Sequence, residues 1–344
     1  MSTGVPLIHL RAPISEQRDA WKAAARLGAA RLTGHRLDIA AALNASRVLF
    51  SLPHEVKAAA VSSGGAAGFQ RGYIPLGGES GLKSNLELKE GFCYGHEWTH
   101  ALPQANGLTG HNVWPDCMGT ACELCRASLI RVYSDAVRVI GHAASALVQS
   151  LQLHIDSTAL LSGGETISIM RLFHYFSELE HPQVAPGTPR TGSSPHTDWH
   201  VLTLIVQDTT GGLQVLDPHG RWLDVPADGA EVVLLLGDYL HLLSQGTLHS
   251  PIHRVLLPTA GSHRYSLTFF QYPNFDATVP SEIMTVTPPA AHNTAQVATA
   301  GAFNTLVDSS DAKARSRLSH TPFGELLLEK WRGVTANRVQ GAHG

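Results

Sequence analysis

The sequence predicts an α+β protein in which an antiparallel β-sandwich or barrel forms the core and α-helices pack around it. From residue 166 to 270, short segments rich in β-branched and aromatic residues alternate with Gly, Pro, Asp and Ser, a pattern typical of sandwiches and barrels. The first third is helical instead, and one long amphipathic segment connects the two parts. With 344 residues, 43% of them hydrophobic and 15% charged, the chain can bury a large core.

The N-terminal region, residues 1–116, is predicted to be mixed. A short strand is expected over residues 5–10, followed by helices over 16–32 and 37–50. The second helix should end before Pro53, because proline disfavours helical geometry in the residue that precedes it. A further helix should begin at Pro53, since proline is well tolerated in the first turn.

A long helix is predicted from about Cys117 to Leu151, within a scaffold region of residues 117–160. Its apolar positions recur every three or four residues and form a stripe suited to packing on a core: Leu129, Val132, Ala136, Val139, Ala143 and Leu147. We interpret this helix as a scaffold for the β-core of residues 161–280. Residues 281–344 are predicted to be a loop and a helix that pack on that core, so the whole chain should form one integrated unit.

Composition excludes several classes of partner. The net charge of −3 provides no basic surface for nucleic acid or for a membrane. No segment approaches about 18 consecutive apolar residues, the length that a transmembrane helix needs. The N-terminus also lacks the charged and apolar pattern of a signal peptide. A cytoplasmic protein is therefore expected.

The four cysteines, Cys93, Cys117, Cys122 and Cys125, are expected to be reduced thiols in that compartment. Cys122 and Cys125 form a CxxC, which also allows a metal-binding or redox interpretation. There is no second CxxC. The pair lies at the start of the long helix, where positions i and i+3 simply share a face.

A metal site is predicted at His196 and Asp198, because residues two apart on an extended chain point to the same side. His253 lies on a later predicted strand and can supply a third ligand, with His241 and His249 as alternatives. Two imidazoles and one carboxylate cover one face of an octahedron and leave three positions open, as in non-haem Fe(II) oxygenases. Zinc in a hydrolase could use the same ligand types with one open position.

Arg264 and Ser266 favour the iron interpretation. They are two residues apart on a predicted strand and so share a face, where an unpaired arginine inside a barrel would be costly. A dicarboxylate co-substrate resolves this cost, because its distal carboxylate can pair with Arg264 and accept a hydrogen bond from Ser266. If its other end is a 2-oxo acid, that end can chelate iron and leave one position for O2.

Taken in order, these motifs resemble the 2-oxoglutarate/Fe(II)-dependent oxygenases of the isopenicillin N synthase-like branch. The resemblance extends from about residue 5 to 275 and includes further collinear segments: Gly72-Tyr73, Leu88 to Phe92, Met170-Arg171-Leu172, Gly211 to Val215, Trp222 to Pro226 and Gly237-Asp238. It implies a double-stranded β-helix, or jelly-roll, core surrounded by helices. It also implies Fe(II), 2-oxoglutarate as co-substrate and O2, with ascorbate as a candidate reductant.

Carried over residue by residue, the resemblance assigns Fe(II) to His196, Asp198 and His253. It assigns the distal carboxylate of 2-oxoglutarate to Arg264 and Ser266. Tyr175 is a further candidate donor to the co-substrate. Arg171 lies among apolar neighbours and can either point into the barrel or form a structural ion pair. The family often has Asn-Tyr-Tyr-Pro after Arg-Leu, where this chain has Phe-His-Tyr-Phe at residues 173–176.

Six residues are predicted to contact the substrate. They lie on the loop that this family folds over the mouth of the site, directly after the metal-binding Asp, or just beyond the co-substrate pair: Tyr73, Glu79, Trp199, His200, Phe270 and Gln271. Trp199 and His200 are the most informative, because the family usually has Gly at the second of these positions.

The predicted function is oxidation of a small molecule, with hydroxylation as the expected outcome, in secondary-metabolite biosynthesis. The reaction would consume 2-oxoglutarate and O2 and release succinate and CO2. Asp198 disfavours halogenation, since halogenases of this chemistry free that position for chloride. The alternatives are an Fe(II)/O2 oxidase of the cyclising or ethylene-forming type that needs no 2-oxoglutarate, and a non-catalytic ligand-binding barrel. Monomer and dimer are both open.

Overall fold

Two β-sheets pack face to face in the structure, a computed structural model that describes residues 4–61, 71–76, 78, 86–102, 106–117, 119–161, 167–177, 190–281 and 317–341. The strands are β1 (Leu7–His9), β2 (Ala29–Thr33), β3 (Gly72–Ile74), β4 (Leu86–Glu87), β5 (Lys89–Gly95), β6 (Ile169–Tyr175), β7 (Arg190–Thr191), β8 (Ser193–His196), β9 (Leu202–Gln207), β10 (Leu213–Leu216), β11 (Trp222–Asp224), β12 (Val232–Leu236), β13 (His253–Val255) and β14 (Arg264–Gln271). The helices are α1 (Ile14–Leu27), α2 (Ile39–Phe50), α3 (His54–Ala59), α4 (Thr120–Leu151), α5 (Ser157–Leu161), α6 (Asp238–Leu243) and α7 (Phe323–Gly341).

The larger sheet has the strand order β1-β2-β12-β9-β14-β6-β5-β3, and the smaller has the order β11-β10-β13-β8. Apart from the parallel pair β1 and β2, neighbouring strands in both sheets are antiparallel. Apolar side chains fill the space between the sheets, where Val255 of the smaller sheet clusters with Ile205 and Val233 of the larger. The predicted jelly-roll core with surrounding helices is confirmed.

The helix predicted over residues 16–32 is too long, because α1 ends before Gly28 and Ala29–Thr33 form strand β2. Gly28 has a left-handed backbone, with φ of 81°, which favours glycine and terminates a helix. A side chain there would also clash, since its Cβ would lie 2.5 Å from Pro251. Strand β2 then pairs with β1 and β12, so the N-terminal region and the β-core share one sheet.

The long amphipathic helix is α4. It runs from Thr120 to Leu151, so the predicted end at Leu151 is confirmed, and it stops where Gln152 adopts a left-handed backbone, with φ of 54°. All six positions of the predicted apolar stripe are buried, which confirms the stripe, and they pack in one core with side chains of α1 and α2. Tyr133 of α4 meets Phe269 of β14 edge to face at 5.2 Å. The helix therefore backs the strand that carries Arg264 and Ser266.

The cysteines differ from expectation. Cys117 and Cys122 form a disulfide, with Cα atoms 6.1 Å apart, so the prediction of reduced thiols is wrong for these two. The other CxxC member, Cys125, does not take part in this bond; its Sγ lies 3.2 Å from the carbonyl of Ala45 inside the protein. Cys93 and Cys125 are free and buried.

Within the predicted C-terminal part, 281–344, residues 282–316 and 342–344 lie outside the described part of the chain. Helix α7 packs on the core through Phe323, whose ring lies 5.4 Å from Tyr239 and 5.8 Å from Tyr272. Leu327 and Leu328 of the same helix are also buried. None of the described helices is both long and apolar enough to cross a membrane.

Candidate active site

The three predicted metal ligands meet at one end of the smaller sheet. His196 ends β8 and His253 begins β13, and the antiparallel register places them directly opposite each other, with ring centroids 4.2 Å apart. The carboxylate of Asp198 lies between them, 3.8 Å from Nε2 of His196 and 3.7 Å from Nε2 of His253. One ligand atom from each residue lies within 4.8 Å of the others, close enough for all three to bind one ion.

Both imidazoles are oriented for metal binding. Nδ1 of His196 lies 2.7 Å from the carbonyl of Ser194, and Nδ1 of His253 lies 3.2 Å from the carbonyl of Pro251. These bonds place the ring proton on Nδ1 and leave the lone pair of Nε2 facing Asp198. Burial, assisted by the neighbouring His253, lowers the pKa of His196 to about 3. The ring is therefore neutral near pH 7, as a metal ligand must be, and the donor set fits Fe(II).

Asp198 is held as an anion. Burial opposes its ionisation, but His200 and His253 outweigh that cost and keep the pKa of the carboxyl well below its usual range. Thr203 donates a hydrogen bond of 2.5 Å to Oδ2, and Nε2 of His200 lies 3.6 Å from Oδ1. His200, predicted to contact the substrate, therefore sits beside the metal-facing carboxylate.

Asp238, which sequence reasoning gave no role, ties the two ligand-bearing segments together. Its carboxylate accepts hydrogen bonds from the hydroxyl of Thr197 at 2.9 Å and from the hydroxyl of Ser250 at 2.6 Å. Its backbone N–H donates to the carbonyl of Asp198 at 2.7 Å. The preceding Gly237 allows this approach, because a Cβ there would lie 1.8 Å from the carbonyl oxygen of His200.

Arg264 lies at the other end of the cavity and is 1% exposed. Its guanidinium donates to the carbonyl of Gly211 at 2.7 Å, to Oγ of Ser266 at 3.2 Å and to Oε1 of Gln207 at 3.0 Å. It also lies 4.8 Å from the ring centroid of Tyr175. All these partners are neutral, and among the described residues no carboxylate pairs with Arg264. A buried charge held in this way is suited to an anionic ligand. Gln207 was missed from the sequence.

The cavity between the sheets, of about 170 Å³, brings most of the predicted residues together. Those in its wall are the three metal ligands with Arg264, Ser266, Tyr175, Arg171 and Phe270. Residues that sequence reasoning missed also line it: Glu87, Lys89, Thr203, Lys330 and Trp331. Lys89 and Glu87 form an ion pair of 2.7 Å, and in the sequence only their two-residue spacing could have indicated a shared face, if the segment was taken as extended.

Four predicted substrate contacts lie outside the described wall of this cavity: Tyr73, Trp199, His200 and Gln271. Trp199 packs just behind it, with its ring 4.1 Å from the ammonium of Lys330. Gln271 is buried and donates to the backbone carbonyl of Tyr272 at 3.0 Å. Glu79 lies outside the residues that the structure describes.

Tyr73 belongs to a buried polar network around Glu90. The carboxylate of Glu90 accepts hydrogen bonds from Tyr73 at 2.6 Å and from Lys57 at 2.8 Å, and lies 2.8 Å from Nδ1 of His174. Burial opposes charge on Glu90, but the bonds from His174, Lys57 and Tyr73 outweigh it and lower the pKa of the carboxyl. The network joins β3, β5, β6 and α3. Tyr73 therefore stabilises the packing around β6, the strand that carries Tyr175.

Replacing Tyr73 by Phe should destabilise the fold and leave substrate binding unchanged. The variant loses a buried hydrogen bond to a charged group, which contributes about 1.5–3 kcal/mol. Urea unfolding of wild type and variant measures this difference. Tyr133→Phe is the matched control, because its hydroxyl donates to a neutral carbonyl, that of Ser168, at 3.0 Å. Equal losses in the two variants, or a raised KM in Tyr73→Phe, would contradict this assignment.

The family follows from comparison with known proteins. The profile of the 2OG-Fe(II) oxygenase superfamily matches residues 166–273, and that of the N-terminal part of non-haem dioxygenases in morphine synthesis matches residues 6–117. A curated relative is the 2-oxoglutarate-Fe(II) type oxidoreductase hxnY of Emericella nidulans. It is 35% identical over 251 residues, which cover 70% of this chain and 68% of that protein.

Solved structures agree on the fold. A 2OG-Fe(II) oxygenase family protein from Caulobacter crescentus is 25% identical, with a TM-score of 0.69 over 96% of this chain and 99% of that one. A full-length protein of Neurospora crassa, crystallised in complex with α-KG, is 21% identical, with a TM-score of 0.69 over 96% and 98% of the two chains.

The matched profiles, the jelly-roll core and the His-Asp-His site together define an oxidoreductase of the iron-dependent dioxygenase class. The chain belongs to the 2OG-Fe(II) oxygenase superfamily. Fe(II) and 2-oxoglutarate are its metal and co-substrate.

Proposed function

We propose that this enzyme hydroxylates a small molecule, in secondary-metabolite biosynthesis. In the reaction, a substrate C–H, 2-oxoglutarate and O2 give the C–OH product, succinate and CO2. The observation that carries this proposal is a single cavity that holds an open-faced metal site at one end and a buried arginine without a carboxylate partner, among the described residues, at the other.

His196, Asp198 and His253 would hold the Fe(II). When bound, the metal supplies the redox chemistry that couples decarboxylation of 2-oxoglutarate to oxidation of the substrate. Thr203 fixes the Asp198 carboxylate by its hydrogen bond. The Nδ1 bonds of the two histidines keep Nε2 as the ligand atom.

Arg264 would bind the distal carboxylate of 2-oxoglutarate, with Ser266 and Tyr175 beside it. Gln207 and the carbonyl of Gly211 hold the guanidinium in place, so little reorganisation is needed on binding. Apolar side chains complete this part of the wall and exclude water from the reacting groups: Phe173, Ile205, Leu213 and Val255.

An Fe(II)/O2 oxidase that needs no 2-oxoglutarate would leave Arg264 and Ser266 without a ligand, and a non-catalytic barrel would consume no O2. Succinate formed per substrate oxidised distinguishes all three. We expect a ratio of one, because each turnover consumes one 2-oxoglutarate. Oxidised substrate without succinate would establish the oxidase, and ligand binding without O2 uptake would establish the binding protein.

A small-molecule partner completes the proposal. A cytoplasmic location is proposed from the sequence pattern alone, and the Cys117–Cys122 disulfide, a bond that the cytoplasm disfavours, argues against it. The cavity volume of about 170 Å³ suits a small substrate, and the net charge of −3 provides no broad basic surface for nucleic acid.

A further inference from the structure

The C-terminal helix α7 supplies part of the active-site wall. Lys330 and Trp331 line the cavity, although they lie beyond residues 166–273, which the superfamily profile matches. The start of the helix is packed on the core, since Phe323 is 2% exposed. Gly324 lies against the ring of Phe275, where a Cβ would be only 2.1 Å from the ring. Its position therefore places a cation and an indole at the cavity.

Lys330 carries a positive charge that no carboxylate of the described chain contacts directly. Its ammonium lies 4.1 Å from the ring centroid of Trp199, and within the described part of the chain no hydrogen bond or ion pair joins it to another side chain. Burial lowers the pKa of Lys330 to about 8, which leaves the ammonium mostly charged at pH 7. A partly buried cation of this kind is costly unless it meets an anion.

Arg171 lies near the same end of the cavity. Its guanidinium is 4.3 Å from the ring centroid of Trp331, next to Lys330 on α7. In the register of β6 with β14, Arg171 lies opposite Thr268, and Tyr175 lies opposite Arg264. Four residues along β6 separate these two pairs, a distance of about 13 Å at 3.3 Å per residue. The cavity therefore has a second cationic end, distinct from the end that holds Arg264.

The charges in the wall favour an anion at this second end. Glu87 neutralises Lys89, Asp198 faces the metal, and Arg264 faces the co-substrate. Lys330 and Arg171 are the remaining positive groups of the described wall. The carboxylates of Asp198 and Asp238 act on Lys330 through space, but Asp238 already accepts hydrogen bonds from Thr197 and Ser250. The indole of Trp331 and the ring of Phe270 provide flat apolar surfaces for a carbon skeleton.

We propose that Lys330, together with Arg171, binds the carboxylate of the substrate, so that the substrate is a small carboxylic acid with an apolar skeleton. This inference rests on the proposed function and names its substrate class. The carboxylate anchors the molecule at the second cationic end, and the C–H to be oxidised extends toward the metal.

The experiment compares small carboxylic acids with their neutral methyl esters. Benzoate, pyridinecarboxylates, cinnamate and short aliphatic acids are offered to the Fe(II)-loaded enzyme with 2-oxoglutarate, and succinate release is measured. Binding of the same compounds is measured without O2 by calorimetry. We expect acids to bind and to stimulate succinate release, and their esters to do neither.

Lys330→Met tests the residue itself, because it keeps the length of the side chain and removes its charge. Loss of one charged hydrogen bond should raise KM for the acid by roughly tenfold to hundredfold, with a smaller change in kcat and an unchanged Kd for 2-oxoglutarate. Lys330→Arg should restore most of the affinity. Lys22→Met is the matched control, since Lys22 is exposed and pairs with Asp19 on α1, far in the chain from the cavity residues.

The failure of this inference is distinguishable from failure of the proposed function. Esters as effective as acids, no acid bound, or equal KM in wild type and Lys330→Met would overturn the carboxylate site. A raised Kd for 2-oxoglutarate in Lys330→Met would also overturn it, by assigning Lys330 to the co-substrate. Slow uncoupled succinate release without substrate supports the proposed function, and its absence under every condition contradicts that function instead.

Discussion

Replacing His253 by alanine should abolish Fe(II) binding and turnover. The ring of His253 lies opposite His196 across β8 and β13, and its Nε2 lies 3.7 Å from Asp198. Its removal leaves two ligands, which cannot cap one face of the metal. We expect metal affinity and 2-oxoglutarate consumption to fall by more than about a hundredfold, since even residues that only support metal ligands cost 10–100-fold.

The measurement is the Fe(II) content after anaerobic loading and desalting, together with succinate formation. Circular dichroism confirms that the variant is folded. His249→Ala is the matched control, four residues away, because that residue contributes its backbone N–H to the carbonyl of Ala25 and was the alternative ligand from the sequence. Retained iron in His253→Ala, or loss in His249→Ala alone, would overturn the ligand assignment.

Replacing Arg264 by lysine should raise KM for 2-oxoglutarate while iron binding persists. Lysine keeps the charge but cannot form a bidentate pair with a carboxylate, nor at once reach Gly211 and Gln207 as the guanidinium does. Two charged hydrogen bonds of about 1.5–3 kcal/mol each correspond to an increase of roughly 10²–10⁴-fold.

The assay is 2-oxoglutarate-dependent succinate formation at fixed Fe(II). Arg254→Lys is the matched control, because Arg254 bonds Gln214 at 2.8 Å and stacks on Trp222, on the smaller sheet and away from the described cavity wall. Pyruvate, which lacks the distal carboxylate, should be used equally poorly by wild type and Arg264→Lys. An unchanged KM for 2-oxoglutarate would show that another cation holds the co-substrate.

The parts of the site that could be predicted are those encoded locally. The two-residue spacings of His196 with Asp198 and of Arg264 with Ser266 place each pair on one face of an extended chain. His253 could be proposed because it begins an apolar segment, but its position opposite His196 depends on strand register, which no local pattern specifies.

The missed features depend on contacts between residues far apart in the chain. Tyr73 of β3 donates a hydrogen bond to Glu90 of the neighbouring strand β5. A residue expected in a loop at the mouth of the site therefore stabilises the sheet. In the sequence, Lys330 resembles any lysine of an amphipathic helix. Only the packing of α7 in the structure shows that it lines the cavity. The helix predicted over 16–32 ends at Leu27, because Gly28 adopts a left-handed backbone. Gly28 also packs closely on Pro251, a contact distant in sequence that no local pattern indicates.

The contribution of α7 to the cavity separates two functions that many enzymes combine in one element. Metal and co-substrate groups come from the strands of the jelly roll and the loop that follows β8, whereas Lys330 and Trp331 come from a helix that begins about fifty residues beyond β14. Mutations in α7 can therefore change which molecule is accepted without disturbing the oxidative chemistry. Descendants of such a chain could diversify by altering this helix alone, and directed evolution for new substrates should begin there.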